Sequence, residues 1–165
     1  EMHKQDINLT EILESAVTKV WLQAQGKKQQ MNRLFDSGGV ATIYADKDQV
    51  EQVLLNVLSN AIKYTEPGGR IDIDLRLEGS QVNTTIKDNG VGIPEEDVSR
   101  VFERFFRVDK ARSRAMGGTG LGLAISKQIV ENHEGKILLD SKEGKGTTVT
   151  LQFPLVSHRG QRNID

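Results

Sequence analysis

The chain has 165 residues, of which 36% are hydrophobic and 27% are charged, and this size and composition predict a single globular domain with an ordinary core. The formal net charge of −1 gives no overall field that would attract nucleic acid or an anionic membrane surface, so neither is an expected partner. The sequence has no cysteine, which excludes disulfides, thiol nucleophiles and cysteine zinc sites, and its three histidines form no cluster that could hold a metal.

Both ends of the sequence are polar and lack a hydrophobic pattern, as linkers and tails do. We expect residues 1–6 to be a linker, residues 7–156 to form the domain, and residues 157–165 to be a polar tail. The chain is interpreted as a piece of a longer protein.

The first predicted element is an amphipathic helix with Asn8 as its N-cap, because apolar residues recur at spacings of three and four from Leu9 to Trp21. Two short strands are predicted over 31–35 and 41–45. The glycine turn between these strands indicates a hairpin at the edge of a sheet.

A longer helix follows, with Asp46 as its N-cap and Gln49 completing a capping-box pattern. Apolar residues at helical spacing from Val50 to Ile62 predict that one face of this helix is buried.

A strip of polar side chains borders that apolar face, because Asn56, Asn60, Lys63 and Tyr64 lie at i, i+4, i+7 and i+8. Two amides, an ammonium and a phenol in this arrangement can hold a hard cation, neutralise a phosphate and cover an aromatic base. The alternative is an ordinary polar flank with a lysine at the favourable C-terminal end of the helix dipole.

Strict alternation of apolar residues over 71–77, a turn and a returning strand predict an antiparallel hairpin with one face in water. The second strand leads to Asp88, and the glycines that follow, Gly90 and Gly92, allow another group to approach the main chain closely. A buried carboxylate can accept a hydrogen bond from the N6 amine of adenine, whereas the O6 of guanine has no proton to donate. An Asn-Gly hairpin turn is the alternative explanation of these residues.

A short helix is predicted from Glu95 to Phe106, and its three phenylalanines are interpreted as an anchor on the core for the adjoining segment. The hydrophobic pattern then fails over 107–117. Positively charged side chains are concentrated in and just before this segment, and Asp109 is the one acidic residue among them. These cations are Arg104, Arg107, Lys110, Arg112 and Arg114. Loops of this length are commonly lids, so we expect residues 108–117 to form one; a solvated surface loop is the alternative.

Glycines alternate over 118–122, directly before another predicted helix. A glycine-rich loop that leads into a helix N-terminus can cradle a phosphate, because free N–H groups and the positive end of the helix dipole face the anion. In this helix, His133 is interpreted as a residue of the C-terminal end and Gly135 as a left-handed cap. Its predicted inward residues are Leu123, Ala124, Ile125, Ile129 and Val130.

The last two strands are predicted over 136–140 and 147–153, joined by a glycine turn. Apolar residues at alternate positions make the second of them a central strand. The hydroxyl of Thr147, near its start, could reach a base held at Asp88.

In their order and spacing, these motifs resemble the ATP-binding domain of histidine kinases. The matching boxes are Asn56 to Tyr64 (N), Asp88-x-Gly90-x-Gly92 (G1), Phe102, Phe105 and Phe106 (F), Gly118-x-Gly120-x-Gly122 (G2) and Gly144-x-Gly146-Thr147 (the third glycine box). The resemblance covers residues 7–154, and the segment over 105–123 is most similar to membrane sensor kinases of Gram-positive bacteria in the cell-wall and phosphate-sensing group.

The resemblance implies the Bergerat fold of the GHKL superfamily, an α/β two-layer sandwich in which a mixed, mostly antiparallel sheet packs on three helices. It also implies ATP and Mg²⁺ as cofactors: Asp88 reads the adenine amino group, Tyr64 covers the ring, and Asn60, assisted by Asn56, holds the metal. The other residues implied to bind ATP are Lys63, Gly90, Gly92, Ile93, Lys110, Gly118, Thr119, Gly120, Leu121, Gly122 and Thr147.

In histidine kinases the phosphoryl acceptor is a histidine followed by an acidic residue on a separate helical hairpin. His3 is followed by a lysine, and His133 and His158 lie after the motifs that they would have to precede. The acceptor is therefore expected on a dimerisation hairpin outside this chain, with a response regulator as a further partner. The resemblance also implies a cytoplasmic domain whose parent protein lies in the cell membrane.

ATP hydrolases of the same superfamily, the gyrase and Hsp90 types, have a glutamate at the position of Asn56 that activates water. An amide cannot act as a general base near neutral pH, so transfer to an outside nucleophile is favoured over hydrolysis. An anti-sigma-type switch protein that phosphorylates a serine is the alternative with the same fold. A Rossmann domain is disfavoured, because residues 107–116 before the glycines do not have the pattern of a strand.

Overall fold

A five-stranded sheet and a layer of helices form the fold in the computed structural model, which describes residues 1–104, 106 and 122–156. The described elements in chain order are β1 (Gln5–Asn8), α1 (Leu9–Gly26), β2 (Gln30–Arg33), β3 (Thr42–Ala45), α2 (Lys47–Lys63), β4 (Arg70–Glu78), β5 (Gln81–Asp88), α3 (Glu95–Val98), α4 (Leu123–Asn132), β6 (Lys136–Lys142) and β7 (Gly146–Pro154). None of the helices in these ranges is long and apolar enough to cross a membrane.

The strand order of the large sheet is β2-β4-β5-β7-β6, and its only parallel pair in the described ranges is β2 with β4. The first strand, β1, pairs with β3 in a separate two-stranded sheet. Helices α1, α2 and α4 pack together, with α2 between the other two. The predicted α/β sandwich with a mixed, mostly antiparallel sheet is confirmed.

The core lies between the helices and the sheet and is formed by the apolar stripes that the periodicity predicted. Leu13 of α1, Leu54 and Leu58 of α2, Ile73 of β4 and Leu151 of β7 are 0% exposed. Each such side chain contributes roughly 1.5–3 kcal/mol through burial. The N-caps predicted for both long helices are present, since Asn8 Oδ1 accepts from the Thr10 N–H and Asp46 Oδ1 from the Gln49 N–H.

The predicted hairpin of the two short strands is wrong, because β2 joins β4 and β3 joins β1. The reason lies in Asn8, whose Oδ1 accepts from the Ala41 N–H while its Nδ2 donates to the Gly39 carbonyl. These bonds hold the turn against the start of α1 and bring β3 beside β1. Gln5 and Asp6 are therefore part of a strand, although the sequence predicted a linker over 1–6.

The predicted helix from Glu95 to Phe106 is too long. Helix α3 ends at Val98, and the chain continues in tight turns in which Arg100 and Glu103 donate their N–H groups to carbonyls three residues earlier. Val101 is nevertheless buried in the core.

Two details of α4 also differ from the prediction. Ile125, expected to face inward, is 59% exposed, and Ser126 is buried in its place. The left-handed cap residue is Glu134 (φ 60°) rather than Gly135. The glycine is required for another reason, since a Cβ there would collide with the Gln152 carbonyl of β7.

His133 joins the end of α4 to the start of α2. The residue is buried, its Nδ1 lies 2.7 Å from the Ile129 carbonyl oxygen, and its Nε2 accepts the Asp46 N–H at 3.0 Å. The proton of the neutral ring therefore lies on Nδ1. Only half of the predicted capping box forms, because His133 takes the N–H that Gln49 would otherwise bind.

The C-terminal end of α2 is held by the loop that follows α1. Gln29 Nε2 donates to the carbonyls of Ile62 (2.9 Å) and Thr65 (2.8 Å), and Lys27 Nζ donates to those of Ile62 (2.8 Å) and Lys63 (3.1 Å). Burial lowers the pKa of the Lys27 ammonium, an effect that Glu66 partly opposes. Carbonyls at a helix end have no partner within the helix, so these donors stabilise the turn that precedes Tyr64.

Replacing Gln29 with leucine should destabilise the fold by roughly 1–3 kcal/mol, because carbonyls at the end of α2 lose a buried donor. Urea denaturation measures the change as a lower midpoint with an unchanged slope. The matched control is Gln30→Leu at the exposed neighbouring position, which should change stability by less than about 0.5 kcal/mol. Equal effects of the two substitutions would show that Gln29 does not hold the helix end.

Candidate functional site

Asp88 stands at the end of β5, opposite Ile71 of β4 and Thr147 of β7, and is 9% exposed. Its Oδ1 accepts the N–H groups of Gly90 (2.9 Å) and Thr147 (3.2 Å). Burial raises the pKa of this carboxyl to about 6, although the two N–H donors oppose the shift. Among the described residues no hydrogen bond reaches Oδ2, so this oxygen is placed to bind a ligand.

The glycines after Asp88 are required by the protein's own backbone. A Cβ on Gly90 would collide with the Tyr64 carbonyl oxygen, and a Cβ on Gly92 (φ 71°) would collide with the Lys142 carbonyl oxygen. Ile93, which the sequence analysis placed among the ligand contacts, is 4% exposed and belongs to the core. These glycines therefore permit close contacts between segments of the protein's own backbone, before any contact with a ligand.

Ser141 of β6 joins the two glycine turns on either side of Asp88, and the sequence analysis did not identify it. Its Oγ accepts the Ile93 N–H (2.9 Å), donates to the Gly146 carbonyl (3.0 Å) and lies 2.8 Å from Thr147 Oγ1. The Thr147 hydroxyl, expected to reach towards a base, is thus directed to Ser141, while the Thr147 N–H binds Asp88. A serine near the end of an edge strand has no sequence signal for such a role.

The polar strip of α2 borders the site. Asn56, Asn60, Lys63 and Tyr64 are all half-buried. Asn56 Nδ2 donates to the Gly122 carbonyl (3.2 Å) and to Ser126 Oγ (3.0 Å), and so fastens α2 to the start of α4.

Tyr64 caps the C-terminal end of α2 and accepts the Val91 N–H on its carbonyl oxygen at 3.0 Å. The helix that carries the polar strip is therefore bonded directly to the glycine turn that follows Asp88.

Gly122 is the N-cap of α4 and has left-handed backbone angles (φ 63°, ψ 32°). Phe102 and Phe106 pack partly buried against the core, as predicted for an anchor, and lie beside Lys127 and Arg100 respectively. The other residues predicted for the phosphate end lie outside the described residues, as do Phe105 and the lid predicted over 108–117. They are Lys110, Gly118, Thr119, Gly120 and Leu121.

A divalent cation at this site would depend on amide oxygens, because the described part of the chain has no group of three or more His, Cys, Asp or Glu side chains suited to a metal. Asn56 uses Nδ2 as a donor, which leaves its Oδ1 as the acceptor, and Asn60 lies one helical turn further along α2. Amide oxygens suit Mg²⁺, which binds few protein ligands when phosphates complete its shell. The donor set fits that ion.

Residues 45–157 match the protein family described as histidine kinase-, DNA gyrase B-, and HSP90-like ATPases. The chain belongs to this family. Among its curated relatives, the sensor histidine kinase WalK of Bacillus subtilis is 53% identical over 111 residues, which are 66% of this chain and 18% of the relative. The sensor protein kinase WalK of Staphylococcus aureus (strain Newman) is 49% identical over 111 residues, again 66% of this chain and 18% of the relative. The chain thus spans about a fifth of these proteins.

Solved structures give the same result for the fold. The catalytic domain of histidine kinase ThkA superposes with a TM-score of 0.81 at 28% identity, covering 93% of this chain and 96% of that one. The mycobacterial sensor histidine kinase MprB superposes with a TM-score of 0.78 at 29% identity, covering 93% and 98%. The predicted GHKL fold and the resemblance to sensor kinases of Gram-positive bacteria are confirmed, and these names favour the histidine kinase interpretation over the anti-sigma-type switch.

Replacing Asp88 with asparagine should stabilise the ligand-free protein above pH 6, because the folded chain no longer buries a charge. A carboxyl whose pKa rises from 3.8 to about 6 on folding binds its proton more tightly when folded, so its ionisation lowers stability as the pH rises through this window. The gain should reach at most about 3 kcal/mol at pH 7 and disappear near pH 4.

Urea midpoints of Asp88→Asn and the wild type at a series of pH values measure this effect. Asp140→Asn, which alters an exposed carboxyl on β6, is the matched control and should change stability by less than about 0.5 kcal/mol. A gain that is independent of pH would contradict the assigned cause.

Proposed function

We propose that this chain is the ATP-binding catalytic domain of a sensor histidine kinase, which transfers the γ-phosphoryl group of ATP to a histidine on a dimerisation hairpin. The family is one of ATPases, and ATP is therefore the expected nucleotide. The choice of phosphoryl transfer over ATP hydrolysis depends on one observation, the orientation of the Asn56 side-chain amide.

Asn56 donates both of its described side-chain hydrogen bonds, one to a carbonyl oxygen and one to a hydroxyl. A carboxylate at this position has no proton to donate to the Gly122 carbonyl, so the surroundings of the side chain suit an amide. An amide does not take a proton from water near pH 7. Positioning of an outside nucleophile, rather than activation of water, is then the source of the rate.

The proposed roles follow from the placement of each group. Asp88 Oδ2 accepts the adenine N6 amine, and Tyr64 covers the ring. Asn60 and Asn56 hold Mg²⁺, which supplies neutralisation of phosphate charge when bound. Lys63, Lys110, Thr119, Leu121 and the glycines at 118, 120 and 122 bind the phosphates, and Gly90, Gly92, Ile93 and Thr147 form the wall at the adenine end.

The acceptor histidine is proposed to lie on the parent protein's helical hairpin. His133 is 3% exposed and uses both ring nitrogens, so it is not placed to receive a phosphoryl group. A response regulator is the proposed further partner, supported by the structure of histidine kinase ThkA in complex with response regulator protein TrrA, which superposes with a TM-score of 0.77 at 25% identity and covers 93% of this chain and 42% of that one. The domain is proposed to be the cytoplasmic part of a membrane sensor kinase.

Mg²⁺ should strengthen ATP binding in the wild type, and Asn60→Ala should remove this dependence, because an oxygen ligand of the cation is lost. Calorimetric titration of ATP in the presence of Mg²⁺ or of a chelator measures both effects. Asn132→Ala, at an exposed amide on α4, is the control and should behave as the wild type. An unchanged Mg²⁺ dependence in Asn60→Ala would assign the metal to another residue, with Asn56 the first to test.

The isolated chain should bind ATP without labelling itself, and it should transfer phosphate when the parent's hairpin is added in trans. Transfer should be weak, because the effective concentration that a covalent tether provides is absent. Radiolabel from γ-labelled ATP on the hairpin, lost in acid, measures the reaction, and a hairpin with its acceptor histidine replaced by alanine is the control. Acid-labile label on this chain alone, or equal label on the control hairpin, would contradict the proposal.

A further inference from the structure

Thr65, the residue that follows Tyr64 at the end of α2, buries its whole side chain next to the Asp88 carboxylate. The residue is 0% exposed, and its hydroxyl oxygen has no hydrogen-bond partner among the residues that the structure describes. Buried hydroxyls nearly always have a partner, so this one calls for an explanation.

Three oxygen atoms surround the place that a Cβ of Gly90 would occupy. Thr65 Oγ1 and Asp88 Oδ1 both lie 2.9 Å from that point, and the Tyr64 carbonyl oxygen is the nearest atom to it. The Thr65 methyl group is instead the atom nearest to the place of a Cβ on Gly69, so the methyl and the hydroxyl face different glycines and the hydroxyl lies on the side of Gly90. Thr65 and Asp88 are thus neighbours without being hydrogen-bonded to each other.

The chemistry of these three oxygens matches one water molecule. The ionised Asp88 carboxylate and the Tyr64 carbonyl only accept hydrogen bonds, whereas the Thr65 hydroxyl can donate one. A water has two protons for the two acceptors and a lone pair for the hydroxyl, and buried waters make about three hydrogen bonds on average.

We propose that Thr65 is a positioning residue for purine recognition, whose hydroxyl holds the Asp88 carboxylate through one buried water. The inference rests on the proposed binding of adenine at Asp88. Together with the N–H groups of Gly90 and Thr147, the water would fix Oδ1 and leave Oδ2 free to accept from the adenine amine. The same Oδ2 would repel the O6 of guanine.

Hydrogen bonds, rather than a nearby charge, oppose the effect of burial on the pKa of Asp88. The side chains beside it from neighbouring elements, Ile71 of β4, Thr147 of β7 and Thr65 after α2, carry no charge. Loss of a donor to the ionised carboxylate should therefore raise its pKa further.

The test compares three variants of this chain by titration with ADP and with GDP, without added metal, from pH 8 to pH 5. Thr65→Val keeps the shape and removes the hydroxyl, and Thr65→Ser keeps the hydroxyl. Thr84→Val is the matched control. Thr84 is also 0% exposed, its hydroxyl likewise has no partner in the described part of the chain, and it lies on β5 four residues before Asp88, facing the core.

Thr65→Val should weaken ADP binding roughly three- to tenfold, the usual effect of one hydrogen bond, without changing GDP binding. The pH midpoint below which ADP binding is lost should move upward, since the carboxylate then takes up its proton at higher pH. Thr65→Ser and Thr84→Val should keep the selectivity and the midpoint of the wild type.

The outcomes separate the two proposals. A wild type that does not prefer ADP over GDP would contradict the proposed function. A wild type that prefers ADP, with Thr65→Val equal to Thr84→Val in affinity, selectivity and midpoint, would overturn the inference alone. The same conclusion follows if Thr65→Ser loses as much as Thr65→Val, since the role of Thr65 would then be packing.

A crystal structure of the wild-type chain at high resolution provides a test that does not depend on the folding of variants. A water bonded to Thr65 Oγ1, Asp88 Oδ1 and the Tyr64 carbonyl oxygen is expected. Density that shows these atoms packed without a water would overturn the inference.

Discussion

The site depends on how α2 is held at its two ends by side chains from distant parts of the chain. His133 accepts the N–H of Asp46 at the N-terminal end, and Lys27 and Gln29 bind the last carbonyls at the C-terminal end. Between these ends the apolar face fixes the rotation of the helix, so the strip from Asn56 to Tyr64 can face only one way. A helix free to shift or turn would lose the alignment of its amides with the start of α4.

Asp88 shows the conflict between stability and function in this domain. A carboxyl buried to this degree disfavours its own ionisation. The fold compensates in part with two backbone N–H groups, one from Gly90 in the turn after β5 and one from Thr147 on the neighbouring strand β7. The residue is therefore poorly suited to stability and well suited to discriminate an amine from a carbonyl. Such an exception to good core chemistry is typical of a binding site.

Local patterns were sufficient to predict the long helices, their caps, the hairpin and the residues of the polar strip, because each depends on spacing within one segment. Pairings between segments were not predictable in the same way. The strands β2 and β3 have four residues each, too few to specify a partner, and the side chain of Asn8 holds β3 beside β1 from the other end of α1. The roles of Ser141 and of His133, whose partner lies 87 residues away, arise only when the chain is folded. Ile125 shows the limit of polarity as a guide, since α4 exposes this apolar residue and buries Ser126.

The serine bridge between the glycine turns also affects the entropy of binding. Ser141 joins the turn after Asp88 to the start of β7, while Gly92 fits closely against the backbone of Lys142. Loops that are bonded to each other and closely packed have few alternative conformations left to lose. A ligand that arrives at this end meets groups that are already in place, so little of its interaction energy is used to order the protein, and even a few hydrogen bonds can give useful affinity.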